Sequence, residues 1–507
     1  MTVPRHDKRV EFGDFQTPPD LARAIFSLLS QRIAPASILE PTCGIGSFLV
    51  SGAQIFPEAQ ALGVEINPLY VAELEQIISN DPRLSHIRVI NDSFFAIDWT
   101  TVSASLPQPV LIIGNPPWVT NAAVGALGGS NLPTKSNFQA HAGLDALTGK
   151  SNFDISEWMI RRLLDVFMSS ECTIGVLCKT AVARKILLYS WSTDVPLHRA
   201  EIRRIDAVAH FGASVEACLL VLEIGSADAK KCLMYDRLDD ATPSGALAYR
   251  NGQLIANVDA HERWKHLEGA SPERWRSGVK HDCSKVMEMH SCERGLLNGF
   301  GEVVDIEDAY LYPMLKTSDI AAGRIERNDR WMLVPQRTVR EDTSGIRIIA
   351  PRTWKYLQSH AAALDSRASS IYRKRPRFSV FGVGPYTFAP WKVAISGLYK
   401  KLHFVTVGPI AGRPVVLDDT TYFLPCDSES QARLLVGLLN SEPATEFFGA
   451  RVFWDAKRPI TVDVLSKLNI EALAIELGLK DQLQQVRSLH ATQTSQSLLF
   501  PDTRAAG

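Results

Sequence analysis

The sequence predicts an α/β fold, a mostly parallel, doubly wound sheet with helices on both faces, followed by a mixed α+β domain. Three observations carry this expectation. Short apolar runs recur through the first 225 residues, and helical patterns separate most of them. A strand, a tight turn with two closely spaced glycines and a helix start open the series. After Gly225 the texture turns irregular and turn-prone, as at Pro243-Ser244-Gly245 and Asn298-Gly299, and then basic, aromatic and glycine-rich.

Taken in order, a helix is predicted over Pro19–Gln31, where Leu21, Ala24, Ile25 and Leu28 fall at helical spacing. Strands are predicted at Ser37–Leu39, Ala61–Glu65, Ile87–Ile90, Val110–Ile113, Thr173–Cys178, Ile205–Val208 and Ala217–Ile224. Residues 217–222 are apolar throughout, as a central strand should be. The first domain is expected over 1–230 and the second over 235–480. A polar tail over 481–507 should form a short helix and then disorder.

At 507 residues the chain has room for two or three domains. Its 46% apolar and 21% charged content is ordinary for a soluble globular protein. The polar N-terminus has no secretory pattern, and no run is long and apolar enough to span a bilayer. These features predict a cytoplasmic protein without a membrane partner. The eight cysteines are scattered with no C-x-x-C pair, so reduced thiols and no metal are expected. Net charge is −1, which argues against a protein that simply coats nucleic acid. Between Pro351 and Ile410, however, ten Lys or Arg face one acid, Asp365. Such concentration is the footprint of a localised polyanion site.

The most informative segment is Asn115-Pro116-Pro117-Trp118, directly behind the apolar run Val110–Gly114. It reads as a buried strand ending in a rigid polar loop, where open α/β sheets place ligands. Two prolines fix φ and supply carbonyls without competing N–H groups. An amide side chain, a bare carbonyl and an aromatic face suit capture of a planar amine such as the N6 of adenine.

Ile38 to Phe48, with Glu40, Pro41, Cys43, Gly44 and Gly46, carries the first two glycines of a G-x-G-x-x-G pattern, but Leu49 stands third. Glu40, four residues before the first glycine, would repel a pyrophosphate there. It suits a cation, such as the sulfonium and amino group of S-adenosylmethionine. Glu65, about twenty residues after the turn, falls where nucleotide sites place a ribose-binding carboxylate, and Ile66 can cover an adenine ring. Asp92, Ser93 and Phe94 follow the next strand, with Asp92 placed to accept from an adenine amine and Phe94 to cover its ring. Three acids at successive strand ends are hard to explain as helix caps.

The ordered set Gly13-Asp14-Phe15-Gln16-Thr17-Pro18, Glu40 to Gly46, Glu65, Asn91 to Phe94 and Asn115 to Trp118 resembles the gamma-class N6-adenine DNA methyltransferases of restriction–modification systems. The resemblance covers the first 225 residues. It continues through Trp275–Asp282 and Tyr312–Lys316, and Asp455–Pro459 is a further element without a role. It implies a class I, Rossmann-like methyltransferase sheet with one antiparallel strand near its edge, and a target-recognition domain behind it. It implies S-adenosylmethionine as cofactor, with Phe15, Gln16 and Thr17 closing over its methionine end. It also implies a flipped adenine in double-stranded DNA, held between Trp118 and Phe211. Asn at position 115 favours adenine N6 over cytosine N4. Arg373, Arg375, Arg377, Lys392 and Lys400 are expected to contact phosphates. No nuclease motif is evident, which places any cognate restriction endonuclease on another chain. Two rival readings share these residues, an RNA or protein methyltransferase and a catalytically silent DNA-binding defence subunit.

Overall fold

A computed structural model describes residues 15–119, 154–226, 230–373 and 375–488. Gly13, Asp14, Lys374 and the tail beyond residue 488 lie outside the described residues. The chain divides into two units, Met1–Val258 and Asp259–Gly507.

The first unit alternates helix and strand. In chain order it runs α1 (Pro19–Leu29), β1 (Ser37–Glu40), α2 (Ser47–Ile55), β2 (Gln60–Glu65), α3 (Pro68–Asn80), β3 (Ile87–Asn91), α4 (Trp99–Ser105) and β4 (Val110–Gly114). It continues with α5 (Ile155–Phe167), β5 (Cys172–Lys179), α6 (Thr180–Ser192), β6 (Leu197–Ile205), α7 (Ala207–Phe211) and β7 (Ala217–Ile224). Strands β8 (Lys231–Tyr235), β9 (Gly245–Arg250) and β10 (Gln253–Ile255) follow. The sheet order is β10-β9-β8-β6-β7-β5-β4-β1-β2-β3. Strands β3, β2, β1, β4 and β5 are parallel neighbours. All residues of β1 and β4 are buried, because helices cover both faces of a parallel sheet. Helix α1 buries Leu21, Ala22, Ile25, Phe26 and Leu29. Each large apolar side chain of that set contributes roughly 1.5–3 kcal/mol.

Three expectations need correction. The strand predicted at Ile205–Val208 ends at Ile205, and α7 begins at Ala207, with Asp206 capping it by accepting from Ala209 N–H at 2.9 Å. The true strand, β6, is charged because its buried Glu201 is answered by Arg32, by Arg199 at 2.6 Å and by Arg203 at 3.0 Å. Paired charges can occupy a strand that an apolar pattern does not reveal. The antiparallel strand β7 is not near an edge, since β6, β8, β9 and β10 lie beyond it, and β9 is antiparallel as well. Those added strands also move the unit boundary from about 230 to Val258.

The second unit is mixed α+β. Its strands are β11 (Arg276–Ser277), β12 (Glu288–Cys292), β13 (Gly295–Asn298), β14 (Val303–Val304), β15 (Leu311–Leu315), β16 (Arg330–Leu333), β17 (Trp391–Ser396), β18 (Val405–Val407), β19 (Val416–Leu417) and β20 (Thr421–Cys426). They form a four-stranded sheet, β11-β20-β17-β18, and a six-stranded one, β14-β13-β12-β16-β15-β19. Gly278 explains part of the Trp275–Asp282 element: a Cβ there would lie 2.1 Å from the Asp418 carbonyl oxygen. Only glycine permits that approach. Among the described residues no helix is long and apolar enough to cross a membrane.

Candidate active site at the carboxyl ends of the parallel strands

Strand β1 lies between β4 and β2, so chain order reverses there and the carboxyl ends of β1 to β4 open on one side. Glu40, Glu65, Asn91 and Gly114 end these strands. A cavity of about 560 Å³ sits against them, a size suited to one nucleoside-like ligand.

The turn after β1 is shaped by its glycines. Gly44 and Gly46 take left-handed φ values of 54° and 83°. A Cβ on Gly44 would meet Gln16 Oε1 at 2.4 Å, and one on Gly46 would meet Leu74 Cδ1 at 2.4 Å. The pair therefore serves tight packing of this loop against α3 and the Phe15–Thr17 segment. That segment is tied down from the other side, since Ile45 N–H donates to Gln16 Oε1 at 3.2 Å.

The three acids do different things. Glu40 is buried, and its Oε2 accepts from Leu49 N–H at 3.2 Å. Burial holds its carboxyl well above the usual carboxylate range; the Leu49 amide opposes this and Glu65 adds to it. Glu65 is clamped by two backbone amides, Gly44 N–H on Oε2 and Asn67 N–H on Oε1, both at 2.8 Å. Asp92 accepts from Ser93 N–H at 2.7 Å, and its own N–H donates to the Glu65 carbonyl at 3.1 Å. All three line the cavity.

Asn115 lines it too. Its Nδ2 donates to the Phe15 carbonyl at 2.8 Å, and its Oδ1 is buried without a partner. An orphaned buried acceptor costs about 1–3 kcal/mol, and a donor-bearing ligand would satisfy it. Thr42 Oγ1, in the same cavity, is the second such atom.

Of the predicted residues, Phe15, Gln16, Thr17, Glu40, Pro41, Cys43, Gly44, Glu65, Ile66, Asp92, Phe94, Asn115 and Pro117 share this cavity. Gly46, Ser93, Pro116, Trp118 and Phe211 stand outside its lining. Sequence reading gave no site role to Thr42, Ser47, Val64, Asn67, Tyr70, Phe95, Val119, Ile155 and Met159, which line it too. Asn67 and Tyr70 follow Glu65 into α3 and were within reach of a spacing argument. Ile155 and Met159 sit far along the chain on α5 and carry no strand-end signature.

The aromatic pair is in mutual contact. Trp118 and Phe211 meet edge to face, ring centroids 5.2 Å apart at 71°, with Phe15 against both. Trp118 is buried, and its Nε1 donates to the Leu177 carbonyl at 3.3 Å. No base fits between rings already in contact.

Among the predicted phosphate contacts, Arg373, Arg377 and Lys400 are exposed and Arg375 is half-buried. Arg377 pairs with Asp365 at 2.7 Å. Lys392 is a correction: it is 1% exposed and donates to the Ala389 carbonyl at 2.6 Å. Strand β17, flanked by β20 and β18, faces this side chain inward, where burial pushes its ammonium down to about 7.

No family model matches the sequence. The Type II methyltransferase M.NspV of Nostoc sp. (strain ATCC 29411 / PCC 7524) is 44% identical over 472 residues, 92% of this chain and 98% of that protein. The Type II methyltransferase M.CvrRI of Paramecium bursaria Chlorella virus XZ-6E is 34% identical over 113 residues, 22% of this chain and 26% of that protein. Among solved structures, the Type IIL restriction–modification enzyme MmeI in complex with DNA matches with a TM-score of 0.52 at 13% identity. That match covers 91% of this chain and 65% of the other, and it is a likeness of fold.

Proposed function

The chain belongs to the Type II methyltransferases of restriction–modification systems, and from there we propose that it methylates the N6 amine of an adenine turned out of duplex DNA, using S-adenosylmethionine. When bound, that cofactor supplies an electrophilic methyl group on a cationic sulfur. The donor set fits it. Glu40 is a buried carboxyl short of positive charge, Glu65 is held ready for ribose hydroxyls, and Ile66 and Phe94 offer faces for a purine.

The residues of this chain then act by position. Asn115 Oδ1 takes one N–H of the target amine and the Pro116 carbonyl takes the other. Drawing both protons away from the ring plane turns the nitrogen lone pair toward the methyl group. Preorganised acceptors of this kind lower the barrier without a strong base. Capture of the base requires Phe211 to leave Trp118, and the stacking surfaces so freed offset part of the unstacking cost. Arg373, Arg375 and Lys400 of the second unit hold phosphates, and a cognate endonuclease on a separate chain completes the system.

The observation that carries this reading is the unpartnered Asn115 Oδ1 in one cavity with Glu40, Glu65 and Asp92. The test is transfer of radiolabelled methyl from S-adenosylmethionine to duplex DNA, RNA and protein, followed by nucleoside analysis. Label in N6-methyladenine from DNA is expected. Label only in RNA or protein, or in another nucleoside, would sink it.

A further inference from the structure

The acceptor loop is anchored at its start by β4 and by the Asn115–Phe15 hydrogen bond. Its far end needs an anchor too, because the Pro116 carbonyl aims wherever the peptide planes up to Trp118 allow. That anchor is a cation. Lys179, the last residue of β5, donates from Nζ to the Trp118 carbonyl at 2.8 Å. The same ammonium pairs with Asp154 Oδ2 at 2.7 Å. Asp154 in turn starts α5, accepting from Ser156 N–H at 3.2 Å and from its hydroxyl at 2.6 Å. Ile155 N–H donates to the Val119 carbonyl at 2.9 Å. One side chain therefore ties the acceptor loop to the helix whose Ile155 and Met159 wall the cavity.

Building on the function proposed above, we propose that Lys179 is a positioning residue for methyl transfer, acting through the Trp118 carbonyl. It touches neither substrate nor cofactor. A charge-assisted hydrogen bond is roughly twice as strong as a neutral one and directional at its acceptor, which suits holding a peptide plane. A bare surface ion pair would not do this; here the Lys179 and Asp154 side chains are 25% and 8% exposed. A merely structural lysine would affect folding and every ligand alike. A positioning lysine should affect turnover and leave cofactor binding alone.

The test uses the full chain and three variants: Lys179→Met, the paired Lys179→Met/Asp154→Asn, and Lys179→Arg. The paired variant avoids leaving a buried carboxylate alone, which removes the main cause of misfolding in the single one. Two readouts are taken, the methylation rate at saturating DNA and cofactor, and amide hydrogen exchange across residues 114–119. In the paired variant kcat should fall at least about tenfold, since small misplacements of reacting groups are costly. S-adenosylmethionine affinity should stay within about twofold, and exchange at 114–119 should quicken while β5 holds its protection. Lys179→Arg, which keeps the cation, should recover most of the rate. Paired-variant kcat and loop exchange both unchanged would overturn the proposal. The exchange readout needs no turnover, and a wild-type protein that never methylates DNA would instead overturn the function.

Discussion

Phe15 grips Asn115: its backbone carbonyl accepts the Asn115 side-chain amide at 2.8 Å, which leaves Oδ1 buried and without a partner. The segment preceding the first helix thus orients the amide at the end of the fourth strand. Asn115→Ala should therefore cut methyl transfer by about 100- to 1,000-fold, the scale of losing one preorganised polar group. Cofactor affinity, measured by calorimetry, should barely move. Near-normal single-turnover rates would rule out this role for Asn115.

Glu40 should make stability depend on pH. Its folded carboxyl sits well above the ordinary range because it is buried. Stability is then fully present below the unfolded value and is lost as pH rises through the raised folded value. Glu40→Gln should raise the neutral-pH melting temperature of the ligand-free protein and flatten this slope. The same change should weaken S-adenosylmethionine binding roughly tenfold, as loss of a charged partner does. Unchanged melting and unchanged affinity together would show that Glu40 is not an ionic partner.

Lys392 carries the opposite signature. Its folded value is depressed to about 7 by burial, so between that pH and the unfolded lysine value the unfolded chain holds the extra proton. Stability should rise with pH across that window. Lys392→Met should stabilise the second unit at neutral pH and remove the slope, with no loss of DNA affinity. A drop in affinity at every salt concentration would return Lys392 to the DNA-contact set.

Replacing Arg373, Arg375 and Lys400 together by Ala should weaken DNA binding. It should also reduce the dependence of log affinity on log salt by up to roughly 0.9 for each phosphate that is no longer neutralised. Arg377→Ala should do less, because Asp365 at 2.7 Å already answers its charge. Titrations at several salt concentrations decide this, and parallel lines for wild type and triple variant would exclude these cations.

Much of the first unit was legible because parallel strands buried on both faces leave short apolar runs, and β1 to β5 and β7 fall within a residue or two of their predicted ends. Strand β6 was not, because Glu201 and its arginines make a buried strand look like surface. In the cavity, the strand-end acids and Asn115 could be read, since each closes an apolar run with a polar residue. Ile155, Met159 and Lys179 could not, since their roles depend on which helix and strand fold beside the loop. The basic segment misled at Lys392 because charge count says nothing about which way a strand residue faces.

Phe15 has a larger consequence. Its ring lies against both Trp118 and Phe211, its carbonyl sets Asn115, and its neighbours Gln16 and Thr17 line the same hollow. On the function proposed above, the donor and acceptor halves thus share one short stretch of covalent chain. Linkage makes such sharing mutual: whatever free energy a seated donor gives to gripping an extruded purine, that purine returns to the donor. On the function proposed above, loading either half would prime the other, and an empty donor cavity would leave the grip on an extruded base weaker.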